Sequence, residues 1–250
     1  KKQTKMPVAL GMRYGSMTIK KAMDELYQQG VDEVLLVPLY PHYAMSSFET
    51  VVVKVMEVKK EFFPNVKLTT LPAFYKNPDY IKVLSASIAD SLKDFEYDHI
   101  LFSYHGIPER HVRKMDPTSS HCLESKDCCE KKSVSHQFCY RHQVKMTSKL
   151  CAEELNLNND QWGISFQSRI GPGWLQPFTD KVIEDLPDKN MKKIAVVCPA
   201  FIADNLETLE EVNIQGKDSF LNSGGEEFTF IPCINDNDLF IDFLMGFVSE

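Results

Sequence analysis

Short, nearly continuous apolar runs alternate with amphipathic stretches along almost the whole chain. That alternation limits the fold more than any other feature. Glu33 to Val37 is such a run, the mark of a strand covered on both faces. Val8 to Gly11, Val66 to Leu71, Ile100 to Tyr104, Trp162 to Phe166, Lys193 to Val197 and Phe228 to Ile231 read as further strands. Ile19 to Tyr27 places Ile19, Ala22, Met23 and Leu26 at helical spacing, with Gly30 as a stop. Ser46-x-x-Glu49 resembles a capping box and opens an amphipathic run to Phe62. Pro78 suits a first helical turn, and that helix runs to Phe95. Val144 to Leu155, Thr179 to Leu186, Asp204 to Val212 and Asp238 to Val248 complete the helices. Strands alternating with helices predict an α/β fold with parallel sheets and right-handed crossovers.

Composition narrows the function. The net charge of −7 argues against nucleic acid or a membrane surface as the main partner. No apolar run approaches the ~18 residues of a membrane span. The basic start, Lys1-Lys2-Gln3-Thr4-Lys5, is followed by an apolar stretch broken at Arg13, which is not the pattern of a signal peptide. Of seven cysteines, five lie between Cys122 and Cys151. Such crowding reads as a metal site in a reducing compartment rather than a disulfide scaffold. Ile107 to His142 is polar, cysteine-rich and without a clear period, and a loop that long in a compact domain is usually functional.

In open parallel sheets the binding crevice lies beyond the carboxyl ends of the strands. The segments that follow the strands carry aromatics, histidine, arginine and carboxylates, and no Gly-x-Gly-x-x-Gly or Walker loop is present. His105 stands at one strand exit, where an imidazole serves as base, metal ligand or plain backbone partner. Asp204, Glu207 and Glu211 follow another exit at spacings of three and four, which stacks carboxylates on one helix face. The competing reading makes Asp204 an N-cap, Glu207 its capping-box partner and Glu210 and Glu211 a solvated face. Cys122, Cys128, Cys129 and Cys139 offer four thiols spaced C-x5-C-C-x9-C, suited to zinc or an iron–sulfur cluster, with His121, His136 and His142 as substitute ligands. Cys151, Cys198 and Cys233 read as inert core residues. Tyr40 and Trp174 are core aromatics or the lining of a slot for a flat apolar ligand. Arg13 and Arg169 are surface cations or partners for ligand carboxylates.

At these residues the sequence resembles the ferrochelatases. The matching segments are Arg13-Tyr14, Leu39-Tyr40-Pro41-His42-Tyr43, Ser103-Tyr104-His105-Gly106-Ile107-Pro108, Phe166-Gln167-Ser168-Arg169, Trp174-Leu175-x-Pro177 and Asp204-Asn205-Leu206-Glu207-Thr208-Leu209-x-Glu211. The resemblance implies two Rossmann-like, chelatase-type domains with parallel sheets enclosing a porphyrin cleft, the first domain incomplete in this chain. It divides the chain into 1–95, a second domain 96–235 with a cysteine-rich insertion 116–142, and a C-terminal helix 236–250 packing back on the first domain. It implies an enzyme that inserts Fe2+ into protoporphyrin IX or coproporphyrin III to form haem. His105 and Glu207 match the family's essential pair, catalytic and in contact with the substrate metal, and Asp204 and Glu211 match its acidic row. Arg13, Tyr14, Tyr40, Ser103 and Trp174 match porphyrin contacts. The insertion resembles that of bacterial members with an internal [2Fe–2S] cluster, which carries the ligand role onto Cys122, Cys128, Cys129 and Cys139.

The chain departs from the family in two places. Asn205 stands where relatives often carry a histidine. The family's opening strand and lip have no counterpart, so something on the order of 60–80 residues is expected ahead of Lys1, taking ~30 residues per βα unit. The expected partners are porphyrin and ferrous iron, with no nucleic acid and no transmembrane segment, in the cytoplasm. Two rival readings are a catalytically silent tetrapyrrole- or cluster-binding sensor and a sirohydrochlorin-type chelatase. The latter usually pairs histidines, whereas here one histidine faces carboxylates.

Overall fold

The computed structural model describes residues 4–248. Six strands are formed: β1 (Glu33–Leu36), β2 (Lys67–Thr70), β3 (His99–His105), β4 (Trp162–Gln167), β5 (Lys193–Val197) and β6 (Glu227–Ile231). The α-helices are α1 (Ile19–Gln28), α2 (Thr50–Phe62), α3 (Pro78–Leu92), α4 (Glu109–Lys114), α5 (Tyr140–Glu154), α6 (Thr179–Asp185), α7 (Lys217–Asn222) and α8 (Asp238–Gly246). All pairings between these strands are parallel: β1 with β2 in a small sheet, and β4-β3-β5-β6 in a larger one. The expected α/β architecture with parallel sheets is therefore present.

The larger sheet is covered on both faces, as its apolar runs demand. Ile100, Phe102 and Tyr104 of β3 are wholly buried on one side, among Tyr80, Ile88, Val144 and Phe240 from α3, α5 and α8. Leu101 turns to the other face with Ile194, Val196, Ile183 and Phe220. This is the period-2 alternation of a strand read out in packing. A third core joins α1, α2 and the small sheet through Ile19, Met23, Val55, Val58 and Phe63.

Strand order positions the site. The chain leaves β3 toward β4 on one side and leaves β5 toward β6 on the other. The connections diverge between neighbouring β3 and β5, which opens a crevice at their carboxyl ends.

Four local expectations are corrected. Residues 8–11 form no strand, because β1 pairs only with β2; Met12 makes one isolated bridge to Thr18. No capping box forms at Ser46. The chain winds there as a π-helical turn, Met45–Glu49, whose Glu49 N–H reaches back to Ala44 O at 3.1 Å. The Glu49 side chain lies near the Tyr43 phenol instead and, after burial, helps raise its pKa. The segment after β5 is also π-helical, Glu207–Gly216, rather than α-helical from Asp204. Finally, the aperiodic stretch 107–142 contains α4 and a 3-10 turn, Val134–Gln137, and α5 begins at Tyr140.

Candidate active site

His105 is the last residue of β3, in register with Gln167 of β4. Its Nδ1 lies 2.7 Å from the Gly106 carbonyl. A carbonyl oxygen only accepts, so in the neutral ring Nδ1 carries the proton and Nε2 keeps its lone pair. The backbone-bonded reading and the catalytic reading of His105 thus describe one arrangement. The loop after β5 sets Phe201 edge-on to the imidazole, with 6.1 Å between ring centroids. The Tyr140 hydroxyl donates to the His105 carbonyl at 2.9 Å.

Trp174 lies beside the same strand exit. A Cβ built on Gly106 would fall 2.8 Å from Gln167 O and 3.3 Å from Trp174 Cε3, so glycine is what lets the indole and β4 close on this turn. Leu175 N donates to Ile107 O at 3.0 Å and Glu109 N to Gly173 O at 2.8 Å, lacing the tryptophan loop to the histidine turn. A groove lined by Pro108, Arg110, Arg113, Ile170 and Trp174 opens next to it.

The three carboxylates are not equivalent. Asp204 accepts from Cys233 N at 3.1 Å, Asn235 Nδ2 at 2.8 Å and Thr208 Oγ1 at 3.3 Å, which pins its loop to the end of β6. Burial would raise its carboxyl, but those donors outweigh it and hold the group below its usual range. Asn205, not Asp204, caps the following turn: Thr208 N donates to Asn205 Oδ1 at 3.2 Å and Asn205 N to Thr208 Oγ1 at 3.0 Å. Glu211 accepts from Ser168 N at 2.6 Å and from the Ser168 hydroxyl. Ser168 follows the residue opposite His105, so Glu211 reaches the foot of the crevice. Glu207 is half-buried and has no hydrogen-bond or ion-pair partner among the described residues. It is the carboxylate of the row left available for chemistry. Asp204, by contrast, is engaged by the loop after β6. The π-helical winding places Glu207 and Glu211 on a segment of a kind often found at functional sites.

The resemblance sets Ser103 against a porphyrin. Ser103 is wholly buried inside the sheet and bonds Gln167 Oε1 at 2.6 Å and Thr179 Oγ1 at 2.8 Å. It braces β4 and α6 from within. Arg13 donates to Thr50 Oγ1 at 3.2 Å and lies over the Tyr14 ring. Burial and then the neighbouring Tyr14 raise the Tyr40 phenol, so Arg13, Tyr14 and Tyr40 form one patch beyond β1. Tyr14 is 77% exposed, an aromatic surface open to a ligand. Arg169 makes a bidentate pair with Asp180, 2.8 Å at each nitrogen, which engages both of its terminal nitrogens.

The cysteine segment is a separate, buried construction. Cys122, Cys128, Cys129 and Cys139 are each at most 6% exposed, and the Cys139 thiol lies near those of Cys122 and Cys129. Cys128 Sγ accepts from Leu123 N and Arg141 Nη1, both at 3.4 Å. Asp116 anchors the segment by accepting from His121 N and Cys122 N at 2.8 Å and from Ser135 Oγ at 2.6 Å. His136 and His142 stack at 3.6 Å and face the carbonyls of Cys128 and Cys129 through their ring nitrogens. No group of three or more His, Cys, Asp or Glu side chains is set closely enough to hold a metal ion among the described residues. Cys151, Cys198 and Cys233 are buried in the core. No helix among the described residues is long and apolar enough to cross a membrane.

Sequence-based reading singled out His105, Glu207 and the thiols. It missed Ser168, Phe201, Tyr140 and Asp116 as partners, although the first two stand at strand exits, where a search for supporting residues begins.

The family model described as Ferrochelatase matches residues 1–250. A ferrochelatase of Opitutus terrae is 48% identical over 239 residues, covering 95% of this chain and 69% of the relative. One from Stutzerimonas stutzeri is 40% identical over 249 residues, covering 99% of this chain and 73% of the relative. Among solved structures, the sirohydrochlorin chelatase SirB of Bacillus subtilis in complex with cobalt superposes with a TM-score of 0.65 at 11% identity, over 100% of this chain and 82% of SirB. SirB with Fe3+ gives 0.61 at 12% identity, over 93% of this chain and 77% of that one. At that identity the likeness speaks for the fold.

Proposed function

The chain belongs to the ferrochelatase family, and from that premise we propose how its residues insert Fe2+ into a porphyrin, protoporphyrin IX or coproporphyrin III, to form haem. The reaction exchanges one dication for two pyrrole protons, so the site needs a proton acceptor, a path for iron and a surface that holds the ring bent. The observation that carries the assignment is the His105 Nε2 lone pair at the divergence of β3 and β5, on the carboxyl-end side from which Glu207 also follows. A tautomer locked by the Gly106 carbonyl keeps Nε2 ready to take a pyrrole proton or to meet incoming iron. Glu207 supplies the second acceptor or ligand, and Glu211, held by Ser168, extends the negative potential that draws in the cation. Trp174 furnishes one wall for the ring, and Tyr40 with Arg13 and Tyr14 furnishes the other. Fe2+ stands low in the divalent affinity order, so selectivity rests on geometry and supply rather than ligand strength.

The division into 1–95, 96–235 and 236–250 belongs to this proposal, as does residence in the cytoplasm. Packing of α8 supports the role given to the last helix: Phe243 meets Phe74 at 5.5 Å and Tyr80 at 6.1 Å between centroids.

Cys122, Cys128, Cys129 and Cys139 would hold a [2Fe–2S] cluster. Four buried thiols and N–H donors directed at Cys128 Sγ are the donor chemistry such a group requires. When bound, it would cross-link the segment and supply a one-electron couple. Asp116 holds the backbone of Cys122 in place for it.

An anaerobic Fe2+/porphyrin assay tests the assignment. His105→Ala should abolish insertion while porphyrin binding persists. Glu207→Gln should cripple insertion with little loss of stability, since Glu207 caps nothing. Near-normal turnover of the His105 variant would refute the reading.

A further inference from the structure

The first turn of α5 touches three parts of the molecule at once. Cys139 is its N-cap residue, buried near Cys122 and Cys129. The next residue, Tyr140, sends its hydroxyl to the carbonyl of His105. One turn on, Gln143 is fully buried, accepts from Tyr43 N at 2.7 Å and donates to Gln137 O at 2.9 Å.

Tyr140 is 5% exposed, and its hydroxyl faces a carbonyl oxygen, which can only accept. Tyr140 is therefore the donor of this bond. Its acceptor is the last carbonyl of β3. The peptide that follows carries Gly106, whose own carbonyl sets the His105 tautomer. The ring is held in turn by edge-on packing against His42, 6.0 Å between centroids.

We propose that Tyr140 is the positioning residue for His105 and ties the catalytic strand exit to the cysteine segment through a single hydrogen bond. This rests on the reading of His105 as the proton acceptor. A rigid carbonyl keeps the His105–Gly106 turn from rocking, and so keeps Nε2 aimed at the ring. Displacement of a reacting group by an ångström is heavily penalised in rate.

Tyr140→Phe removes the donor and keeps the ring. The control is Tyr104→Phe, which removes another fully buried hydroxyl bonded to the same helix, at Ser148 Oγ, 2.7 Å away. In the anaerobic insertion assay Tyr140→Phe should lose roughly tenfold in kcat with porphyrin KM unchanged. Tyr104→Phe should stay within about twofold of the parent. Amide hydrogen exchange at Gly106 and Ile107 should quicken in the first variant and not in the second, independently of turnover. A Tyr140→Phe enzyme within about twofold of the parent, an equal loss in both variants, or a loss carried by KM would overturn the proposal. His105→Ala separates the two levels. If it still turns over, the reading of the base fails. If it is inactive while Tyr140→Phe is normal, the base stands and only the tie is refuted.

Discussion

Acid should weaken this protein through His42, a residue that takes no part in the proposed chemistry. His42 is 2% exposed. The Thr147 hydroxyl gives its proton to Tyr75 O at 2.6 Å, so its oxygen can only accept from His42 Nε2, 2.9 Å away. Nε2 therefore carries the ring proton, and Nδ1 is buried with no partner. Charging the ring would bury both a cation and an unanswered N–H. Burial accordingly pushes the His42 pKa down to about 3. The folded value is depressed, so this contribution to stability is complete above the unfolded value near ~6.5 and is lost as pH falls toward the folded value. At pH 5 the unfolded chain has taken up a proton that the folded one refuses. The linked loss between pH 7 and pH 5 is about 2 kcal/mol. His42→Phe keeps an aromatic ring near Tyr104 and Tyr140 and forgoes the Thr147 bond, which costs about 1 kcal/mol. In denaturant melts the variant should be the weaker protein at pH 7 and equal or stronger at pH 5. His99, His111 and His142, also shifted down by burial, are common to both proteins and cancel in the comparison. Parallel stability–pH curves for the two would refute the argument.

Cys139→Ser should bleach the visible absorption of anaerobically purified protein and lower its soluble yield. Cys198→Ser should leave the colour intact, because Cys198 lies in the core against Gln167; a colourless zinc protein, or the reverse pattern of variants, would defeat the cluster assignment. Gly106→Ala should destabilise by about 1–3 kcal/mol, since the added methyl meets Gln167 O before anything flexible. It should also shift the emission of Trp174, read in a Trp162→Phe background, and an unperturbed Trp174 would place the indole elsewhere.

The strands of the larger sheet were legible because its central strands β3 and β5 are short apolar runs buried on both faces. Ile100 to Tyr104 shows the limit of that reading. Period-2 packing tells which residues alternate, but not that Ser103 bonds Gln167 and Thr179 within the sheet. The segment after β5 was misread for a different reason. Over nine residues a π-helix and an α-helix set apolar side chains at nearly the same intervals, so the period does not separate them. Nor does local chemistry choose between Asp204 and Asn205 as the cap, since both residue types favour that position. The choice was made 29 and 31 residues away, where the Cys233 amide and Asn235 claim Asp204 and leave Asn205 to bond Thr208. Glu211 and Ser168 meet across 43 residues for the same kind of reason. The identity of His105 was readable at its strand exit. Its tautomer is set by the direction of the Gly106 carbonyl, and the carbonyl of His105 itself is held by a tyrosine that follows a cysteine. Tyr140 has no mark in the sequence, because a buried tyrosine that bonds a strand-exit carbonyl and one that fills a core are the same letter in the same apolar pattern. Only the partner of its hydroxyl tells them apart.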